Sequence, residues 1–235
     1  MMNKEFIRYL CCPGCKSGLR ESGRNLACVG CEVKYDVKND APVLIADRSL
    51  PRHMQNQIKY FDKETADRKE YKLEEWQKSY IRRLDENFKF RKNDSLIDIG
   101  TGSGYIAVEM AKRGLKVIAC DLTLKSLIHL RDVIEKYSLK DNLFLVCCNA
   151  EELPIKRETA DYLVANAILE HLPREKETIR EIDRVCKVNA GLMITVPVLY
   201  RYLNPLFIPI NYIHDKRIGH LRRYDERILS KKFKN

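Results

Sequence analysis

The sequence predicts an α/β architecture, a mainly parallel sheet flanked by helices and preceded by a small cysteine-rich unit. Three observations carry that expectation. From Ser95 onward, short apolar runs alternate with segments of helical periodicity. A glycine-rich turn, Asp98-Ile-Gly100-Thr-Gly102-Ser-Gly104, follows the first run, and two C-x-x-C pairs stand within the first 31 residues. With 45% apolar and 32% charged residues among 235, the chain can bury the core of a medium domain with an appendage, which excludes disordered and collagen-like classes.

Three regions separate on composition: residues 1–46, 47–93 and 94–235. In the last, the runs SLIDI, KVIAC, NLFLVCC, DYLVAN and GLMITVPV predict five strands, with helices over about Tyr105–Arg113, Leu124–Tyr137 and Glu175–Cys186. Strands alternating with helices require right-handed crossovers and so a parallel sheet. The middle region has no glycine. Leu73, Trp76, Tyr80, Ile81, Leu84 and Phe88 recur there at helical spacing, which predicts a linker and one amphipathic helix.

Cys12-Pro-Gly-Cys15 and Cys28-Val-Gly-Cys31 each carry a small turn-forming spacer that lets two sulfurs converge on one ion. Four thiolates complete a tetrahedral zinc shell, so the expected role is structural, and the ion would supply much of the folding free energy of so small a unit. Such a site would lower the formal charge of +10 by two. The run from Cys12 to the close Pro42-Val43-Leu44, with Tyr35 and Val37 after the second pair, resembles the small zinc-ribbon family known as activating partners of RNA-modifying and translation-factor methyltransferases. Members usually have Asp-Gly before that close. Here Asp40-Ala41 stands there, so a different turn is expected.

The glycine-rich turn sits between a strand and a helix, where glycines let the backbone approach a ligand. Asp98 closes the first strand; Asp121 closes the second, placed to accept hydrogen bonds from both hydroxyls of a ribose. Gly102-x-Gly104-x-x-Ala107 also satisfies a dinucleotide fingerprint. A carboxylate at the mouth of the loop, Asp98, repels a pyrophosphate and suits a cationic sulfonium ligand instead. Together DIGTGSG, CD, NAEELP and DYLVANAILEHL resemble the class I S-adenosylmethionine-dependent methyltransferases, particularly the quinone-biosynthesis branch, over about residues 60–230. The resemblance implies a Rossmann-like fold. It places Gly100, Gly102 and Gly104 against the methionine and ribose, Asp98 near the methionine amino group, Asp121 on the ribose, and Asn149 with Ala150 beside adenine. Relatives usually carry Asp at the position of Asn149, whose amide oxygen still accepts a hydrogen bond.

The fourth strand ends at Asn166-Ala-Ile-Leu-Glu170-His171, which should border the transferred methyl group. His171 is either a general base or a packing residue. No Asn/Asp-Pro-Pro-aromatic signature follows, which disfavours methylation of exocyclic base amines. Residues 199–224, aromatic, apolar and basic, form a lid or a partner surface, with His220, Arg222, Arg223 and Tyr224 as candidate contacts to an acidic substrate or phosphates. Class I enzymes usually add two strands after the fifth. None is legible here, so the fifth strand is expected to form a sheet edge, covered by residues 199–224 or by a second copy in a homo-oligomer.

The expected function is methyl transfer to RNA, a translation protein or a small hydrophobic molecule. The alternatives are a non-catalytic RNA-binding or assembly protein with a nucleoside pocket, and an NAD-dependent oxidoreductase. No run approaches the roughly 20 apolar residues of a membrane helix, and MMNKEFIRYLCC lacks the pattern of a signal peptide; a cytoplasmic protein without membrane partners is expected.

Overall fold

The structure, a computed structural model, describes residues 3–46, 49–66 and 71–233. The N-terminal region contains α1 (Lys4–Ile7), β1 (Leu19–Ser22), β2 (Asn25–Cys28), β3 (Lys34–Tyr35), β4 (Val37–Lys38) and β5 (Ala41–Leu44). Helices α2 (Arg52–Ala66) and α3 (Glu75–Asn87) follow. The rest alternates: β6 (Ser95–Ile99), α4 (Tyr105–Lys112), β7 (Lys116–Asp121), α5 (Leu124–Lys136), β8 (Leu143–Cys148), β9 (Ala160–Asn166), α6 (Glu175–Val185) and β10 (Cys186–Thr195). The chain then forms α7 (Ile208–Ile218) and α8 (Glu226–Lys232).

The main sheet has the order β10-β9-β6-β7-β8-β5-β4, parallel throughout except for the antiparallel β4–β5 hairpin. The chain runs outward from β6 through β7 to β8, then returns to the other side of β6 with β9. Open α/β sheets bind ligands in the crevice at such a reversal, beyond the carboxyl ends of the strands. Burial on both faces explains the uninterrupted apolar runs: every residue of β6 and of β8 is buried.

The cysteine-rich region does not stand apart. Its β5 pairs in parallel with β8, Val43 opposite Cys147 and Leu44 opposite Cys148, so the ribbon's closing strand lengthens the main sheet. Phe6, Leu10, Tyr35 and Leu44 share one core with Ile97, Phe144 and Ile155, and the Phe6 and Phe144 rings stack at 4.5 Å. The departure from Asp-Gly is met by a two-residue hairpin turn in which Asn39 and Asp40 both take positive φ, 50° and 60°. Asn and Asp tolerate this region best among residues with a side chain.

The region between ribbon and sheet holds two helices where the periodicity predicts one. α3 carries the expected stripe, burying Tyr80, Ile81 and Leu84. α2 occupies what reads as linker; residues 47, 48 and 67–70 of that linker lie outside the described residues. The fifth strand starts earlier than its apolar run, with a shift of register between Cys186 and Gly191, and forms one end of the sheet. Beyond the strand's end, Val198 forms a parallel bridge with Tyr224, which folds the following segment back on itself. Among the described residues no helix is long and apolar enough to cross a membrane.

Because Leu44 is fully buried in the shared core, Leu44→Ala should cost about 2–5 kcal/mol, and urea unfolding followed by circular dichroism should still show one transition. Separate transitions for ribbon and sheet would contradict a shared core.

Candidate functional site

A cavity of about 290 Å³ opens at the carboxyl ends of β6, β7, β8 and β9. The glycine turn forms one wall. Gly100, Gly102 and Gly104 all have positive φ, 71°, 51° and 74°. The three differ in what they make room for. A Cβ on Gly104 would lie 2.2 Å from Leu130 Cδ2, so this glycine lets α4 close on α5. At Gly100 it would lie 2.9 Å from Ile168 Cδ1. At Gly102 it would meet nothing nearer than the Gly100 carbonyl at 3.9 Å, so the open space there belongs to the cavity.

Asp121 is locked to that turn: its Oδ2 accepts from Gly102 N and its Oδ1 from Thr123 N, each at 2.8 Å. Both bonds orient the carboxylate along the cavity wall. Asn149 and Ala150 line the next stretch, at the end of β8. Asn149 Oδ1 accepts from Glu151 N at 3.0 Å, capping the short turn Ala150–Glu152. Its side chain therefore both holds the loop and faces the cavity.

Asp98 lies behind the wall instead of on it. It is 1% exposed, and Oδ2 accepts from the Thr101 hydroxyl at 2.7 Å. Burial pushes its carboxyl up to about 7, eased by the Thr101 hydrogen bond and aggravated by Asp121. The repulsion of a pyrophosphate expected from Asp98 is accordingly weaker than its sequence position implies, because the group is only partly ionised at neutral pH.

His171 is part of the wall, 7% exposed, with Phe61 and His220 edge-on to its ring. Burial, with His220 and His53 adding to it, lowers its pKa to about 3. An imidazole so weakly basic is a poor proton acceptor at neutral pH, which favours the packing alternative.

The four basic-segment candidates need correction, since none lines the cavity and all are engaged inside the protein. Arg223 forks onto Asp215, Nε to Oδ2 at 2.6 Å and Nη2 to Oδ1 at 2.8 Å. Arg222 donates to the carbonyls of Leu169 and Leu172. Tyr224, 1% exposed, donates to Glu175 Oε1 at 2.7 Å, and His220 bonds Asp215. Residues 199–224 supply helix α7, masked in the sequence by prolines at 205 and 209 that sit at helical starts.

The sequence reading misses α2. Met54, Ile58, Phe61 and Thr65, one helical face at spacings of four, three and four, all line the cavity, as does Gln57. Three polar ties hold this helix over the site: His53 Nε2 to the His171 carbonyl (2.9 Å), Gln57 Nε2 to the Ile218 carbonyl (2.8 Å), and the Thr65 hydroxyl with that of Ser126 (2.9 Å). Trp76 and Tyr105 also line the wall, and Tyr105 accepts from Asn166 Nδ2 at 3.0 Å. The spacing is the signal that could reveal α2, but few apolar residues occupy it.

In the ribbon, the sulfurs of Cys12, Cys15, Cys28 and Cys31 all lie within 4.8 Å of one another. Cys12 and Cys31 are 3.7 Å apart, Cys15 and Cys28 3.3 Å, near the about 3.8 Å edge of a tetrahedron with 2.3 Å metal–sulfur bonds. Gly30 and Cys31 donate their N–H groups to Cys28 Sγ at 3.3 and 3.4 Å. The donor set suits zinc.

Residues 97–194 match the family model of the methyltransferase domain. The tRNA 5-carboxymethoxyuridine methyltransferase of Escherichia coli (strain K12) is 28% identical over 100 residues, 42% of this chain and 38% of that protein. The ubiquinone/menaquinone biosynthesis C-methyltransferase of Rickettsia prowazekii (strain Madrid E) is 27% identical, over 40% of this chain and 41% of that protein. The chain thus spans about two fifths of the length of these two relatives. Geranyl diphosphate C-methyltransferase from Streptomyces coelicolor A3(2), solved with S-adenosyl-L-homocysteine, superimposes with a TM-score of 0.63 at 14% identity, over 77% of this chain and 78% of that one. Residues 97–194 are thus similar to methyltransferase domains, and the Rossmann-like α/β fold agrees with that similarity.

Asp98 also predicts a pH dependence. Its folded-state pKa lies above the unfolded value of about 3.9, so its contribution to stability is full below about pH 4 and is lost as pH rises through about 7. Asp98→Asn should flatten that decline, seen as a smaller loss of stability between pH 5 and pH 8 in urea titrations. An unchanged slope would contradict the burial argument.

Proposed function

We propose that the chain is an S-adenosylmethionine-dependent methyltransferase whose N-terminal region folds on a structural zinc ion held by Cys12, Cys15, Cys28 and Cys31. One observation carries the reading: the open side of Gly102, the oriented Asp121 carboxylate and the Asn149–Ala150 turn share one cavity wall at the reversal of strand order. Asp121 would accept from the ribose hydroxyls, and Asn149 and Ala150 would flank adenine. Bound S-adenosylmethionine would supply a sulfonium methyl group for transfer to a nucleophilic acceptor. The chain's own residues align the partners and exclude water. α2 performs the second task, closing the cavity with Met54, Ile58 and Phe61.

For the acceptor we favour a small, largely apolar molecule. Phe61, Ile168 and Leu172 form apolar wall near His171, and the internal engagement of Arg222 and Arg223 takes those two cations away from an RNA acceptor.

Calorimetric titration tests this reading. S-adenosylhomocysteine should bind and NAD should not, with Asp121→Ala weakening the first by about 10- to 100-fold, the worth of hydrogen bonds to a charged group. Binding of NAD alone would overturn it.

A further inference from the structure

Beside the cavity, the side chains of Glu170, His171 and His220 converge. Glu170 is fully buried, and among the described residues neither carboxylate oxygen has a hydrogen-bond partner. His171 Nδ1 is likewise buried without one. His220 Nε2 faces Glu170 Oε1 at 3.7 Å, too far for a hydrogen bond. Its other nitrogen settles the tautomer: Nδ1 lies 2.9 Å from Asp215 Oδ1, and Asp215, held ionised beside Arg223, only accepts. The proton therefore sits on Nδ1, and Nε2 presents a lone pair to a carboxylate.

Such an arrangement is unfavourable as it stands, because buried polar atoms are normally paired and two acceptors repel. The neighbouring cations relieve Glu170 only in part: Arg223 is engaged by Asp215, and Arg222 by the Leu169 and Leu172 carbonyls at 3.1 and 2.6 Å. Burial also pushes Glu170 up to about 7, with Asp215 adding to the rise and Arg223 and Arg222 opposing it. What relieves all three at once is a cation, and the three ligand atoms lie within 4.8 Å of one another. The 3.7 Å gap approaches the about 3.4 Å between donors on a tetrahedral ion with 2.1 Å bonds.

We propose that Glu170, His171 and His220 bind one divalent first-row transition cation through a carboxylate oxygen, His171 Nδ1 and His220 Nε2. The Asp215–His220 pair is the carboxylate–histidine arrangement that orients metal-bound imidazoles. Two imidazoles and one carboxylate suit manganese, iron or zinc, and three protein ligands leave positions open. His171 is cavity wall, so the ion borders the site. Resting on the methyltransferase reading, the ligand class for an open position is a hydroxyl or carboxyl oxygen of the methyl acceptor.

The test is titration of the full chain with Mn2+, a hard ion that thiolates bind poorly, followed by loss of the free-ion electron paramagnetic resonance signal, with S-adenosylhomocysteine binding measured in parallel. One Mn2+ per chain should bind. Glu170→Gln and His220→Gln should each weaken that binding at least tenfold. Pulsed resonance of the bound ion in the unaltered protein should show coupling to two imidazole nitrogens, which decides the assignment even where a variant fails to fold. No uptake, uptake equal in folded variants, or absence of nitrogen coupling overturns the cation site. S-adenosylhomocysteine binding without Mn2+ uptake would leave the methyltransferase reading intact; Mn2+ uptake without it would support the cation site and remove its link to methyl transfer.

Discussion

Parallel pairing of β5 on β8 is the constraint on which the rest of the structure depends. It extends the main sheet with a strand from the cysteine-rich region and brings that region against the loop following β8. Other ties reinforce it. Cys11 N donates to the Pro154 carbonyl at 2.9 Å, Lys156 N to the Tyr9 carbonyl at 2.8 Å, and Lys16 Nζ to both the Leu153 carbonyl and Glu181. The loop so anchored begins with Asn149 and Ala150, cavity wall on the nucleoside side of the proposed site. A region that reads as an appendage thus supports the binding wall, and its effect on the site is mechanical, through backbone hydrogen bonds and a shared core.

A second support lies across the cavity. α2 is tied by side-chain hydrogen bonds to the Leu169–His171 turn after β9, to the end of α7 and to α5, so the wall depends on a few polar contacts as well as on apolar burial. Arg223 and Asp215 brace the same corner, leaving His220 and Glu170 facing each other beneath it. The acidic pair Asp98 and Asp121 divides its labour. One is buried in the turn's support, the other lines the cavity wall.

Much of this was legible in the sequence, and for physical reasons. Strands buried on both faces must be apolar throughout, so SLIDI and LFLVCC declare themselves; a turn with three left-handed glycines declares itself too. The roles of Asp121, Asn149 and Ala150 as wall residues follow from their places at strand ends. α2 was hidden because a helix covering a cavity buries only a narrow face, leaving its other positions polar. β5 was hidden as a member of the main sheet because parallel pairing depends on residues about 100 apart in sequence, which local pattern does not encode. His220, Arg222, Arg223 and Tyr224 look like a ligand-binding patch because sequence shows charge but not its partners, here Asp215, Glu175 and two backbone carbonyls.

The most direct measurement is a crystal structure of the chain with S-adenosylhomocysteine. The account predicts ribose hydroxyls on the Asp121 carboxylate, adenine against Asn149 and Ala150, the backbone of Gly100–Gly104 along the homocysteine, and α2 closed over the ligand. A nucleoside bound elsewhere, or in the cavity with its ribose away from Asp121, would contradict it.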